Sequence, residues 1–140
     1  MKKKTISKLK KELDKWFSLY IRLRDATIDG MVMCITSKRL YYYKNIHAGH
    51  FISRRHLATR WCELNVAPQS AADNLFGQGE QYKFGIELDA KHGEGTALEL
   101  QEKARQTVKI SRAEYEDKIS YYKLLVKNLK KEKGIELIFL

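Results

Sequence analysis

From Thr5 to Asp25 the apolar residues Ile6, Leu9, Leu13, Trp16, Phe17, Tyr20 and Ile21 recur at steps of three and four. That is the period of an α-helix, so the spacing predicts one helix with a single apolar stripe and lysines and arginines opposite. A second stripe of Tyr115, Ile119, Tyr122, Leu125, Val126 and Leu129 predicts another long helix over Arg112–Lys133. Both stripes call for a core to cover them, and their basic faces are either solvated or set against phosphate. Between the stripes, the Asp29-Gly30 turn pair precedes two short apolar runs, Met31–Thr36 and Arg39–Tyr43, which predict a strand hairpin across Ser37-Lys38. A second strand pair is expected to bracket His47–Arg54. A polar, irregular stretch holding the only proline, Pro68, comes next. Asp73–Leu88, with Leu75, Tyr82, Ile86 and Leu88, then suggests a helix interrupted near Gly77 and Gly79, and Thr96 is placed to cap a helix through Arg105.

Charge narrows the class of partner. The 140 residues carry 27 lysines and arginines against 17 aspartates and glutamates, a formal net charge of +10, concentrated at residues 1–24, 54–60 and 103–133. Such a field favours polyanions. No segment approaches the roughly 18 consecutive apolar residues of a spanning helix, so a membrane is not expected as partner. Two cysteines, Cys34 and Cys62, allow at most one disulfide, which points to a reducing cytoplasm.

The chemistry is concentrated in His47-Ala48-Gly49-His50-Phe51-Ile52-Ser53-Arg54-Arg55-His56, followed by Asn65 and Asn74. His50 precedes Asn65 by fifteen positions, and Asn65 precedes Asn74 by nine, a layout that resembles the HNH nuclease motif ending in Asn. Phosphodiester hydrolysis needs a base for water, a cation for the developing charge and a rigid element that holds both. The resemblance implies an α+β fold: an HNH (ββα-metal) core over 30–95, an N-terminal basic helix over 1–29 and a helical extension over 96–140. It casts His50 as general base, Asn65 as a brace for the loop through backbone hydrogen bonds, and Asn74 as a ligand to a single Mg²⁺ or Mn²⁺ ion. Many HNH sites carry Asp directly before the base, where this chain has Gly49; His47 and Asp73 are then the candidates to complete the metal sphere. His47 either ligates the metal or hydrogen-bonds within the hairpin.

The wider pattern resembles the phage lambda NinG (Rap) recombination proteins, in Ser18-Leu19-Tyr20-Ile21-Arg22-Leu23-Arg24-Asp25, Ala48–Arg55, Ala58-Thr59-Arg60 and the span from Asn65 to Asn74, over Lys8 to about Gln106. That resemblance implies phage recombination and structure-specific cutting of branched, Holliday-type intermediates in a bacterial host cytoplasm. It also sets Cys34-Ile35-Thr36-Ser37 on the family's Cys-x-x-Cys knuckle and Gln69-Ser70-Ala71-Ala72-Asp73-Asn74 on its Gln-Cys-x-x-Cys-Asn. A structural zinc wants four thiolate or imidazole ligands, and only Cys34 remains, so no structural zinc is expected. Met31, Met33 and Tyr41–Tyr43 are the candidate apolar filling for the knuckle.

Arg54, Arg55 and Arg60, with Lys38 and Arg39, are the candidate DNA contacts, arginine suiting phosphate through its planar fork; the alternative is a solvated loop. Tyr41–Tyr43 either stack unpaired bases or fill core. Three functions follow. The first is a metal-dependent endonuclease on branched or single-stranded DNA, the second a DNA-binding recombination accessory with an eroded site, and the third an interaction module whose last helix pairs with a second copy as a homodimer.

Overall fold

The computed structural model describes residues 2–136; Met1 and residues 137–140, at the outer ends of the two terminal segments, lie outside it. Helix α1 (Ile6–Arg24) begins at Thr5, whose hydroxyl accepts from the Lys8 amide. Helix α5 (Arg112–Glu132) begins at Ser111, which accepts from the Glu114 amide at 3.1 Å. Side-chain capping of this kind supplies a partner for amides that no helical carbonyl can reach. The two helices lie side by side and run the same way: Arg112 meets Lys4, Phe17 meets Tyr122 edge-on at 5.0 Å, and Lys133 meets the last turn of α1. Their stripes bury Leu9, Leu13, Phe17 and Ile21 against Tyr115, Ile119 and Tyr122, with Trp61 and Val66 closing the same cluster. Each such side chain contributes roughly 1.5–3 kcal/mol by leaving water.

At its far end the helix pair is pinned by one cation. Lys133 Nζ donates to the carbonyls of Leu23 (2.5 Å), Ala26 (2.6 Å) and Arg24 (3.0 Å). Terminal carbonyls of a helix lack amide partners and carry its negative pole, and an ammonium offers three donors.

Strands β1 (Met31–Met33) and β2 (Leu40–Tyr42) form an antiparallel hairpin with Val32 opposite Tyr41. It is shorter than the apolar runs suggest, because the chain after Met33 turns into the Cys34–Lys38 loop, where Lys38 takes a left-handed φ of 64°. Val32 and Tyr43 are buried whereas Met33 is exposed, so the filling here is Val32 and Tyr43 with Ile46, not the methionines.

The second pair joins β3 (His47–His50) to β4 (Val66–Gln69), antiparallel, with Gly49 opposite Ala67 and His50 opposite Val66. The stretch around Pro68, read from sequence as irregular, is thus a strand, and all four of its residues are buried. Proline is tolerated because this ladder has only two strands and Pro68 takes part as an acceptor, its carbonyl receiving the Ile35 amide at 2.9 Å. The loop from β3 to β4 carries the short helix α2 (Leu57–Arg60) and a 3₁₀ turn at Glu63–Asn65.

From β4 the chain enters a π-helical turn at Ala72–Phe76, then α3 (Gln81–His92) and α4 (Thr96–Ala104). The break at Gly77–Glu80 falls where the glycines predict it. Thr96 is the first helical residue and not the cap; Gly95 holds the cap position, and the Thr96 hydroxyl donates back to the Gly93 carbonyl. Helix α3 buries Phe84, Gly85 and Leu88, with the Phe51 ring seated where a Gly85 side chain would stand. Of the apolar positions that suggested the helix, Leu75, Tyr82 and Ile86 face solvent and only Leu88 enters the core. The order after β2 is strand, strand, helix, in a mixed α+β chain whose two small sheets sit against helices. Among the described residues no helix is long and apolar enough to cross a membrane.

Replacing Lys133 with methionine removes three hydrogen bonds from α1's C-terminal carbonyls. It is expected to lower unfolding stability by about 1–3 kcal/mol in urea titrations, with the helical circular dichroism of the native state unchanged.

Candidate functional site

The β3–β4 loop is closed by one fully buried amide. Asn65 Oδ1 accepts from the Ile52 amide (2.8 Å) while its Nδ2 donates to the carbonyls of Ile52 and Thr59, each at 3.0 Å. The Phe51 amide donates to the Asn65 carbonyl. Asn65 thus ties the start of the loop at Phe51 and Ile52 to its end and to Thr59 of α2.

The loop is tied to the helix pair by two carboxylates. Asp14 of α1 receives Arg60 through two nitrogens (2.6 and 3.2 Å) and the Trp61 indole N–H at 3.0 Å. Glu63 receives the hydroxyls of Tyr20 (2.8 Å) and Tyr122 (3.1 Å), one from each long helix. Burial, reinforced by Glu63, pushes the Tyr20 phenol up to about 12, so it remains a donor.

This bracing positions the Arg60 carbonyl 2.8 Å from His50 Nε2. A carbonyl only accepts, so Nε2 carries the proton and Nδ1 keeps the lone pair. Burial lowers the His50 pKa to about 4, with nearby Arg54 also disfavouring the cation, against the opposing pull of the Arg60 carbonyl. The ring is therefore neutral at physiological pH. It lines a cleft of about 630 Å³ with His47, Asn74 and Leu75, and with Arg22, Lys44 and Arg54 supplying positive charge.

His47 and Asn74, twenty-seven positions apart, meet in this cleft with Asn74 Nδ2 3.1 Å from His47 Nδ1. Turned over, the Asn74 amide would offer its oxygen, a hard donor suited to Mg²⁺ or Mn²⁺. Two protein donors suit an ion that keeps several waters and takes the rest of its shell from phosphate. Asp73 is directed elsewhere: its carboxylate accepts the Thr36 hydroxyl at 2.6 Å and stands outside the cleft lining. Among the described residues no three His, Cys, Asp or Glu side chains cluster as a metal site. Gly49 has a steric cause here. A side-chain carbon at that position would lie 2.9 Å from Gln69 Cβ and closer still to its amide oxygen, and Gln69 is wholly buried.

Beside β4 the Cys34 sulfur collects backbone amides from two segments, Ser37 at 3.3 Å and Ser70 at 3.2 Å, and touches the Thr36 hydroxyl. The Asp73 amide donates to Ser70 Oγ. Burial pushes the Cys34 thiol up, but these hydrogen bonds outweigh it and bring the pKa down to about 7.

The profile of the family described as Bacteriophage Lambda NinG protein matches residues 1–132. The chain belongs to the NinG family. This is a phage family associated with recombination. Searches of curated proteins and of solved structures return no significant match. In this NinG chain the four positions set on the family's paired cysteines, Cys34, Ser37, Ser70 and Asp73, do converge, and hydrogen bonds through Thr36 and two backbone amides join them. The basic candidates divide. Arg54 lines the cleft and Arg55 is exposed beside it, whereas the Arg60 guanidinium is held by Asp14 and acts on the loop. Lys38 pairs with Glu87 and borders a separate small pocket with Asp25 and Lys91; Arg39 is exposed on the same turn. Tyr43 is core, and Tyr41 and Tyr42 are half-buried around it. Sequence reasoning missed Asp14, Glu63 and Gln69. Asp14 left a trace, as one of only two acidic residues in a helix rich in lysine and arginine.

Because the buried His50 ring holds a proton more weakly than in the unfolded chain, protonation favours unfolding. Stability is expected to fall as pH drops from about 6.5 towards about 4 and to level off below, a span of at most about 3 kcal/mol. His50→Gln should flatten that slope in chemical denaturation at pH 7, 5.5 and 4. At the knuckle, a zinc chelator should leave the melting temperature of the NinG chain unchanged, while Cys34→Ala lowers it by several degrees.

Proposed function

We propose that this NinG protein is a DNA endonuclease of the HNH kind, cutting branched or single-stranded recombination intermediates with His50 as general base. The observation that carries the reading is the placement of His50: Nε2 lies 2.8 Å from the Arg60 carbonyl, which leaves Nδ1 as the nitrogen with a free lone pair, in a cleft lined by Arg22, Lys44 and Arg54 as well as Asp14. A base of this kind takes a proton from water, and oriented cations hold the phosphates on either side of the bond. Arg54 and Arg55 serve the second task. His47 and Asn74 would hold the divalent ion, which when bound stabilises negative charge on the phosphate and leaving oxygen. Asn65 acts through the loop: without it the Arg60 carbonyl loses its place and the His50 tautomer is no longer set.

A second reading, a DNA-binding accessory without cutting activity, is favoured by one feature. Of the three residues put forward for the metal sphere, only His47 and Asn74 meet in the cleft, since Asp73 is turned to Thr36.

The two separate on labelled four-way junction, fork and linear duplex incubated with Mg²⁺, Mn²⁺ or EDTA. The nuclease reading expects metal-dependent cutting that falls at least about 100-fold in His50→Gln, with DNA affinity held within about threefold. Its pH profile should keep an acid limb below pH 5, because the base stays neutral down to about 4. Tight binding with no cutting by the wild-type chain in either metal establishes the accessory instead.

A further inference from the structure

One part of the cleft is explained by neither charge nor acid–base chemistry. Leu75 and Phe76 follow Asn74 directly, and although both are large and apolar they are 61% and 86% exposed. Leu75 lines the cleft beside His47, His50 and Asn74. The backbone that presents them is irregular yet anchored. The π-helical turn buries none of its residues, and the next four positions include Gln78 at φ 55° and Glu80 at φ 47°, both left-handed without being glycine. Buried Gln69 holds this bend by donating from Nε2 to the Gly79 carbonyl at 2.7 Å. Left-handed non-glycine residues and π-turns persist where surrounding structure fixes them, often at functional sites.

We propose that Leu75 and Phe76 form an apolar wedge that receives an unpaired nucleobase at the branch of a DNA substrate, with the Phe76 ring stacked on the base. The inference rests on the DNA-cutting reading and adds what selects the substrate. Arg22, Lys44 and Arg54 in the same cleft, and a net charge of +10, draw a polyanion. A polyanion whose phosphates meet those cations can bring its apolar part, the base faces, against an apolar tip. Paired bases already stack on their neighbours, so an exposed phenyl ring finds a free π-face only where pairing is interrupted. The wedge therefore supplies preference for branched over linear DNA without reading sequence.

The test is binding of the full chain, in EDTA so that nothing is cut, to a fork carrying 2-aminopurine at the branch and to a linear duplex of the same length. Wild type should change the 2-aminopurine fluorescence and prefer the fork. Phe76→Ala should weaken fork binding about tenfold, leave duplex binding within twofold and abolish the fluorescence change, and Phe76→Trp should restore both. Tyr82→Ala, equally exposed but on α3 beyond the bend that follows Phe76, should behave as wild type. Phe76 faces solvent, so its variants should melt with the parent. If Phe76→Ala binds the fork as wild type does, or weakens fork and duplex alike, or if Tyr82→Ala matches its effect, the wedge is overturned while the nuclease reading stands. A wild-type chain that binds neither DNA overturns both.

Discussion

The arrangement depends on the Asn65 amide. A loop of fifteen residues between two antiparallel strands is entropically costly to order, and although Phe51 and Trp61 enter the core, neither fixes its two ends to each other. One buried carboxamide, with one acceptor and two donors engaged at 2.8–3.0 Å, fixes the loop at both ends. Burying that group is favourable only because each of these bonds is made. From this follow the position of α2, the reach of the Arg60 carbonyl to His50, and the tautomer of the ring. The chemistry of the cleft is thus set at second hand, by a residue that need touch no substrate.

A chain with ten excess positive charges still places carboxylates at its joints. Asp14 and Glu63 connect the helix pair to the loop: Asp14 gathers the neighbouring Arg60 and Trp61, and Glu63 gathers Tyr20 and Tyr122, one from each long helix. Their role is orientation more than net attraction, since half-buried ion pairs recover little beyond their desolvation cost. Arg60 illustrates the consequence. Its sequence context resembles that of its neighbours Arg54 and Arg55, but Asp14 takes its guanidinium inward, and what it offers the cleft is its backbone carbonyl. The basic loop is thereby divided into one cation that builds the site and two that remain outward.

The long helices were legible from sequence because a 3.6-residue stripe over twenty positions has few other solutions. The first hairpin and a strand at His47 were legible too, but not the partner of β3. Val66–Gln69 contains a proline and a glutamine and shows no alternation, because all four residues are buried and its order comes from pairing with β3 and with Ile35. On α3 the apolar period was read half a turn off: Tyr82 and Ile86 resemble core in sequence, yet the glycine at 85 lets Phe51 pack on the other face. Spacing and resemblance singled out His47, His50 and Asn74, which line one cleft, and Asn65, which ties the loop beside it. Asp73 was not separable from Asn74 in the sequence; adjacent residues on a π-turn point in different directions, one to Thr36 and one to His47.

Gly49 and the knuckle share one physical explanation. Gln69 reaches across from β4 with Nε2 bonded to Thr36 and to Gly79, linking the Cys34 turn on one side to the bend after Phe76 on the other. Its side chain occupies the space that a residue before His50 would need, so a carboxylate at position 49 and a buried glutamine at 69 exclude each other. The knuckle is then organised around a sulfur that accepts amides and a Thr36–Asp73 hydrogen bond. Gln69 couples the knuckle, β3 and the π-turn through a single side chain. The hydrogen-bonded turn at Cys34, Ser37, Ser70 and Asp73 and the glycine before His50 meet in the same packing, and both leave His50, His47 and Asn74 facing one cleft.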